Sequence, residues 1–206
     1  MGLGSTVWDD EYARKGMIWS GMTHDLPELS SGCRVLELGC GNGKMLPVMI
    51  RREWNVTAID FSCRAVALCR RQIGGALSGQ VMVADARGSP FRNETFDAVF
   101  AIHCIGHMHR ADRNQTAREI IRMLKPGGIM YFSGFATDDF RFGKGHETEA
   151  ATFRRGNGII THYFSRQEVI DLFLNLKPCR INIHPWSLRV RGNNLKRSEI
   201  IGIFKK

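Results

Sequence analysis

This sequence of 206 residues has no run of about 18 or more apolar residues, so no helix in it is expected to span a membrane. Its N-terminal MGLGSTVWDDEY lacks the basic and apolar regions of a signal peptide, and the expected location is cytoplasmic. The six cysteines, at 33, 40, 63, 69, 104 and 179, form no CxxC pair, which argues against structural zinc and for reduced, mostly buried thiols. There is no internal repeat and no interdomain linker, so residues 1–206 read as one domain. Acid is also short: 29 Lys and Arg face 20 Asp and Glu, a net charge of +9. With 43% hydrophobic residues the chain can bury a core and is not disordered.

The charge is uneven. Residues 1–32 carry a net −3, whereas residues 177–206 hold eight basic side chains against Glu199 alone, a net +7. Such a C-terminal element suits nucleic acid or an acidic substrate. It also suits a solvated pair of strands whose edge is guarded by Lys and Arg.

From Arg34 the sequence alternates between strand and helix patterns. RVLEL (34–38), NVTAID (55–60), QVMVAD (80–85), FDAVFAIHCI (96–105) and IMYFSGFA (129–136) read as strands. KMLPVMIRREW (44–54), SCRAVALCRRQI (62–73) and RNQTAREIIRML (113–124) have helical spacing, with Ser62 as an N-cap. Repeated strand–helix–strand units imply an α/β fold, a doubly wound parallel sheet with helices on both faces. The link from Asp85 to Phe96 is too short for a helix, so one crossover is a loop. Residues 137–164 show no clear period. SRQEVIDLFLNL (165–176) then opens with a capping box, Ser165 to Glu168, and a β-hairpin turning at RGNN closes the chain.

VLELGCGNG (35–43) places three glycines between the first strand and its helix. Without Cβ atoms the backbone can turn sharply and approach a ligand, and a helix N-terminus favours an anion. A P-loop would need Ser or Thr where Met45 stands and a glycine at position 38. A dinucleotide fingerprint would need its third small residue one position later than Gly43. The third reading is S-adenosylmethionine, and four further landmarks follow in order: Asp60 ending the second strand, Ala84-Asp85 ending the third, Asp97 opening the fourth, and LKPGG (124–128) before the fifth. Across residues 33–136 this series strongly resembles the class I S-adenosylmethionine-dependent methyltransferases.

The resemblance implies a seven-stranded, mostly parallel Rossmann-like sheet in the order 3-2-1-4-5-7-6 with the last strand antiparallel. It implies a helical N-terminal lid (1–32), a cofactor-binding core (33–136), and an acceptor-side insertion, helix and hairpin (137–206). The cofactor would be S-adenosyl-L-methionine and the product S-adenosyl-L-homocysteine. Residue by residue, Glu37 would accept from the amino group, and Gly39, Cys40 and Gly41 would line the methionine moiety. Asp60 would take the ribose hydroxyls and Phe61 lie against the adenine, with Asp85 and Ala86 at its edge. Ile102 and His103 would lie beneath the sulfonium, while Tyr12, Arg14 and Trp19, in WDDEYARKGMIW, would cover the pocket. Asp97 reads as structural.

On the acceptor side, HCIGHMH (103–109) makes His103 and His107 the candidate catalytic groups, able to exchange a proton near neutral pH. Their i, i+4 spacing would suit a metal on a helix, but a strand end and loop are expected there, so no metal is assigned. The segment 134–165 resembles small single-domain prokaryotic methyltransferases of the type 11 and tellurite-resistance groups. It adds Arg141, His146, Arg154, His162 and Tyr163 to His107 as candidate acceptor-binding residues. The first reading of the acceptor is a small molecule. RNA, above all tRNA, is second, since no NPPY-type motif follows the fourth strand. A non-catalytic cofactor-binding accessory protein is third. The sequence carries no signal for oligomeric state.

Overall fold

The computed structural model describes residues 3–18, 25–74, 80–190 and 192–206. A seven-stranded sheet is built from β1 (Arg34–Leu38), β2 (Asn55–Asp60), β3 (Val81–Val83), β4 (Phe96–Ile102), β5 (Leu124–Phe135), β9 (Lys177–Val190) and β10 (Asn193–Lys205). Its order is β3-β2-β1-β4-β5-β10-β9. β1 to β5 run parallel, β10 is antiparallel to β5, and β9 is antiparallel to β10. This is the order and sense that the methyltransferase resemblance implied.

The central strands are apolar on both faces because both are covered. One face meets Leu46 and Met49 of α2 (Leu46–Arg51) and Val66 and Cys69 of α3 (Cys63–Ile73). The other meets Ala117, Ile120 and Met123 of α4 (Arg110–Met123) and Val169 of α5 (Arg166–Leu172). Each fully buried Leu, Val or Phe contributes roughly 1.5–3 kcal/mol, so this two-sided sheet holds the fold. The caps follow the sequence: Ser62 accepts from the Ala65 N–H at 3.1 Å and Ser165 from that of Glu168 at 3.2 Å. No helix lies between Asp85 and Phe96.

Three expectations need correction. Residues 137–164 are not merely irregular: β6 (His146–Glu149), β7 (Thr152–Arg154) and β8 (Ile160–His162) form a small antiparallel sheet. β5 begins at Leu124, five residues before the expected Ile129, because Leu124 already pairs with Phe96 ahead of a register shift. The cysteines are all free, but only Cys40 and Cys69 are buried, while Cys63 and Cys179 are exposed.

α1 (Leu3–Lys15) crosses the C-terminal edge of the sheet. Asp9 accepts from the Ser62 hydroxyl at 2.5 Å, and Val7 packs beside Gly158. Glu11 pairs with Arg14 and Lys15 and accepts from the Asn157 amide at 3.4 Å. No described helix is long and apolar enough to cross a membrane.

Candidate active site

A cavity of about 870 Å³ lies at the C-terminal ends of β1, β2, β3 and β4, roofed by Val7, Trp8 and Tyr12 of α1. Parallel α/β sheets bind ligands at this edge. Among the residues named from sequence, Tyr12, Glu37, Gly39, Cys40, Asp60 and Phe61 line it. So do Asp85, Ala86, Ile102, His103, His107 and Arg154.

The loop after β1 is shaped by contact. Gly39 has φ +66°, and a Cβ there would sit 2.6 Å from the Cys104 sulfur. Gly41 is outside the cavity lining and donates its N–H to Asp60 Oδ2 at 2.9 Å, while the Ser62 N–H donates to Oδ1 at 2.9 Å. These bonds hold the Asp60 carboxyl at the cavity wall. Burial nevertheless pushes it up to about 6. Glu37 is 3% exposed, its Oε2 has no hydrogen-bond partner, and burial raises its carboxyl well above the usual range. An unsatisfied buried acceptor is costly; a ligand ammonium would relieve it. A cofactor with an amino group, two vicinal hydroxyls and a planar base therefore fits these residues. S-adenosylmethionine supplies an activated methyl on a sulfonium, so the chain's own task is alignment and exclusion of water.

Asp85 is held by Arg87, whose Nε and Nη2 donate at 2.6–3.0 Å and keep the carboxyl below its ordinary value. An adenine amino group would share that carboxylate with Arg87. Asp97 lies at the opposite edge of the sheet, accepting from the Arg34 N–H at 2.9 Å and from Lys125 at 2.7 Å.

The two histidines do not share a helix face. His103 has φ +50°, a left-handed conformation rare outside glycine, just before a single 3-10 turn (Ile105–His107). Its N–H donates to the Ser133 carbonyl at 2.9 Å, its ring lies 4.4 Å from that of Phe135, and Nε2 is 3.0 Å from Glu199 Oε2. His107 Nδ1 lies 2.8 Å from the Ile160 carbonyl, which can only accept. Nδ1 therefore carries the proton, and Nε2 is left as an acceptor. Burial lowers this imidazole to about 4, so it is neutral at physiological pH. No cluster of metal-ligating side chains occurs among the described residues.

Other named residues lie elsewhere. Arg14 is 61% exposed, two positions from Tyr12 and so off the cavity face of α1. Trp19 lies outside the described residues. Arg141 packs over the Phe135 ring at 4.1 Å and pairs with Asp139. His146 is exposed on β6. His162 and Tyr163 are buried, with His162 2.7 Å from both Thr152 and Glu168, and Tyr163 accepting from Arg155 at 2.9 Å. These four stand outside the cavity lining. Sequence reasoning missed Trp8, whose ring meets that of His107 edge-on at 4.9 Å, and Lys44, a half-buried cation in the cavity. The Trp8–Tyr12 i, i+4 spacing was the available signal for the first.

A family model described as a methyltransferase domain matches residues 35–128. A tRNA (carboxymethyluridine(34)-5-O)-methyltransferase, ALKBH8 of Mus musculus, is 35% identical over 186 residues, 88% of this chain and 26% of that protein. A tRNA N(3)-cytidine methyltransferase, METTL2 of Danio rerio, is 27% identical over 164 residues, 73% of this chain and 46% of that one. The chain spans between 16% and 28% of the carboxymethyluridine enzymes it matches in Macaca fascicularis, Mus musculus and Arabidopsis thaliana. In fold it resembles a SAM-dependent methyltransferase of Methanosarcina mazei, with TM-score 0.70 and 22% identity, covering 86% of this chain and 94% of that one. A domain match that opens inside β1 and closes in the LKPGG segment, on a sheet in this strand order, settles the family: the chain belongs to the class I S-adenosylmethionine-dependent methyltransferases, and its cofactor is S-adenosylmethionine.

Proposed function

We propose that this enzyme methylates a nucleotide of tRNA, with the acceptor entering the cavity at its His107 end. The observation that carries the reading is the extent of the similarity to the mouse tRNA enzyme. A match over 88% of the chain must run beyond residues 33–136 into the acceptor-side sheet and hairpin. The site suits an acceptor that is already an anion, such as the carboxylate of a carboxymethyl group. Arg154 offers a cation at the cavity, and a pre-ionised oxygen needs no general base. His107 then serves as a neutral hydrogen-bond acceptor that orients the substrate. In the same reading, Lys44 takes the place assigned to Arg14 and meets the methionine carboxylate opposite Glu37. The free thiols suit a reducing cytoplasm.

The test is incubation with methyl-labelled cofactor and either unfractionated tRNA or a metabolite extract. Label in the nucleoside digest of the tRNA is the expected result. Label confined to the metabolite extract would sink it and restore the small-molecule reading, which the roof of α1 over the cavity favours.

A further inference from the structure

β10 continues for six residues beyond its last β5 partner, Glu199, and β9 accompanies it. At about 3.3 Å per residue this ribbon extends roughly 20 Å past the sheet. Beyond the pairing with β9, backbone bonds from Ala136 to Ser198 and from Phe140 to Lys196 hold its root. It projects from the end of β5 that carries Phe135, beside His103 and the cavity.

Directly opposed residues share a face of a ribbon. His184 opposes Glu199, Trp186 opposes Arg197, and Leu188 opposes Leu195. Glu199 on this face lies against His103, so the face looks toward the active site. His184 and Trp186 stack at 6.0 Å and 27°, and the His184 side chain is 63% exposed. Arg197, anchored to Asp139 at 2.7 Å, lies 5.2 Å over the Trp186 ring and 4.8 Å over that of Phe135. The strip is thus held rigid before any ligand arrives. Leu188 on the same face and Ile183 on the other are 38% and 49% exposed. A strand that only guarded an edge would show charge there. Arg180, in phase with His184 where β9 joins the sheet, is exposed, as is Arg189 on the other face beside the ribbon's tip.

We propose that the β9–β10 ribbon is a docking surface for single-stranded RNA, with the His184–Trp186 strip stacking on bases and Arg180, farther along the same face where β9 joins the sheet, meeting a phosphate. The proposal rests on the tRNA reading and adds the surface that holds the strand while one nucleotide reaches the cavity. Aromatic platforms flanked by cations bind single strands with little regard to sequence. Charge complementarity favours RNA over a protein partner, because the chain is net +9 and its basic excess is concentrated in this C-terminal element.

The experiment is equilibrium binding of a labelled anticodon stem-loop to the full chain, with calorimetric binding of S-adenosylhomocysteine as the control for an intact fold. Trp186→Ala and His184→Ala, a change at a mostly exposed side chain, are each expected to weaken RNA binding about 10-fold. Trp186→Phe should restore it, and cofactor affinity should stay unchanged in all three. Wild-type RNA affinity for both alanine variants would overturn the ribbon proposal while leaving the tRNA reading intact. No RNA binding by the wild type at about 50 mM salt would overturn both. A dimer in sedimentation that Leu188→Glu dissolves would assign the face to a second copy and overturn the proposal.

Discussion

At the scale of the residue, Asp60 is where pH reaches the cofactor site. Its carboxyl is raised to about 6 against an ordinary 3.8. Between those values the folded protein keeps a proton that the unfolded chain has lost, so its contribution to stability falls as pH rises through that window. Ribose hydroxyls favour the ionised form, so cofactor affinity should rise with pH up to about 6 and then level. Calorimetry with S-adenosylhomocysteine should find binding about 10-fold weaker at pH 5 than at pH 7, and roughly 100-fold weaker in Asp60→Ala. His107 works in the opposite sense. Its imidazole is lowered from 6.5 to about 4, so the unfolded chain binds the extra proton, and stability declines as pH falls from 6.5 toward 4. Relative to the wild type, His107→Gln should raise the urea midpoint at pH 5 more than at pH 7. Lys44→Ala should weaken cofactor binding about 10-fold, with Lys44→Arg close to wild type.

At the scale of the element, a buried cation is a central tie between the small sheet β6–β8 and the core. Arg113, 3% exposed on α4, donates to Glu149 and to the Met108 carbonyl at 2.7 and 2.9 Å and lies 3.5 Å from Glu168. Removing one partner of a buried pair strands the other, so Arg113→Ala should cost about 3–5 kcal/mol in denaturant unfolding. Hydrogen exchange should accelerate first in β7 and β8. These strands are also what the sequence concealed. Each of β7 and β8 is three residues long, too short for an alternation to register, and both are stabilised by contacts remote in sequence. The main sheet was legible because motif residues mark the ends of β1, β2 and β3 and the start of β4, and the helices α3 and α5 announce their caps. The cofactor side was legible for the same reason, since Glu37, Gly39, Asp60 and Asp85 sit at fixed offsets from strand ends. The acceptor side was not: His162 and Tyr163 look reactive in sequence, yet Thr152, Glu168 and Arg155 engage them in the interior. Arg14 and Trp8 were exchanged because helix phase, not residue type, decides which side of α1 faces the cavity.

At the scale of the whole molecule, an excess of nine positive charges should make association with tRNA steeply salt-dependent. The Michaelis constant for tRNA should rise several-fold or more between about 50 and 200 mM salt, with the affinity for cofactor changing far less. α1 sets a different limit. It is fastened on one side to the start of α3 through Asp9 and on another to the β7–β8 turn through Glu11 and Asn157, and the cofactor cavity lies beneath it. We expect spent cofactor to leave as those fastenings open, and release to be slower than methyl transfer. A rapid-quench time course should therefore show a burst of one methylated acceptor per enzyme followed by a slower linear phase. Asp9→Ala should steepen that linear phase and leave the burst untouched, so that a weaker roof makes a faster enzyme.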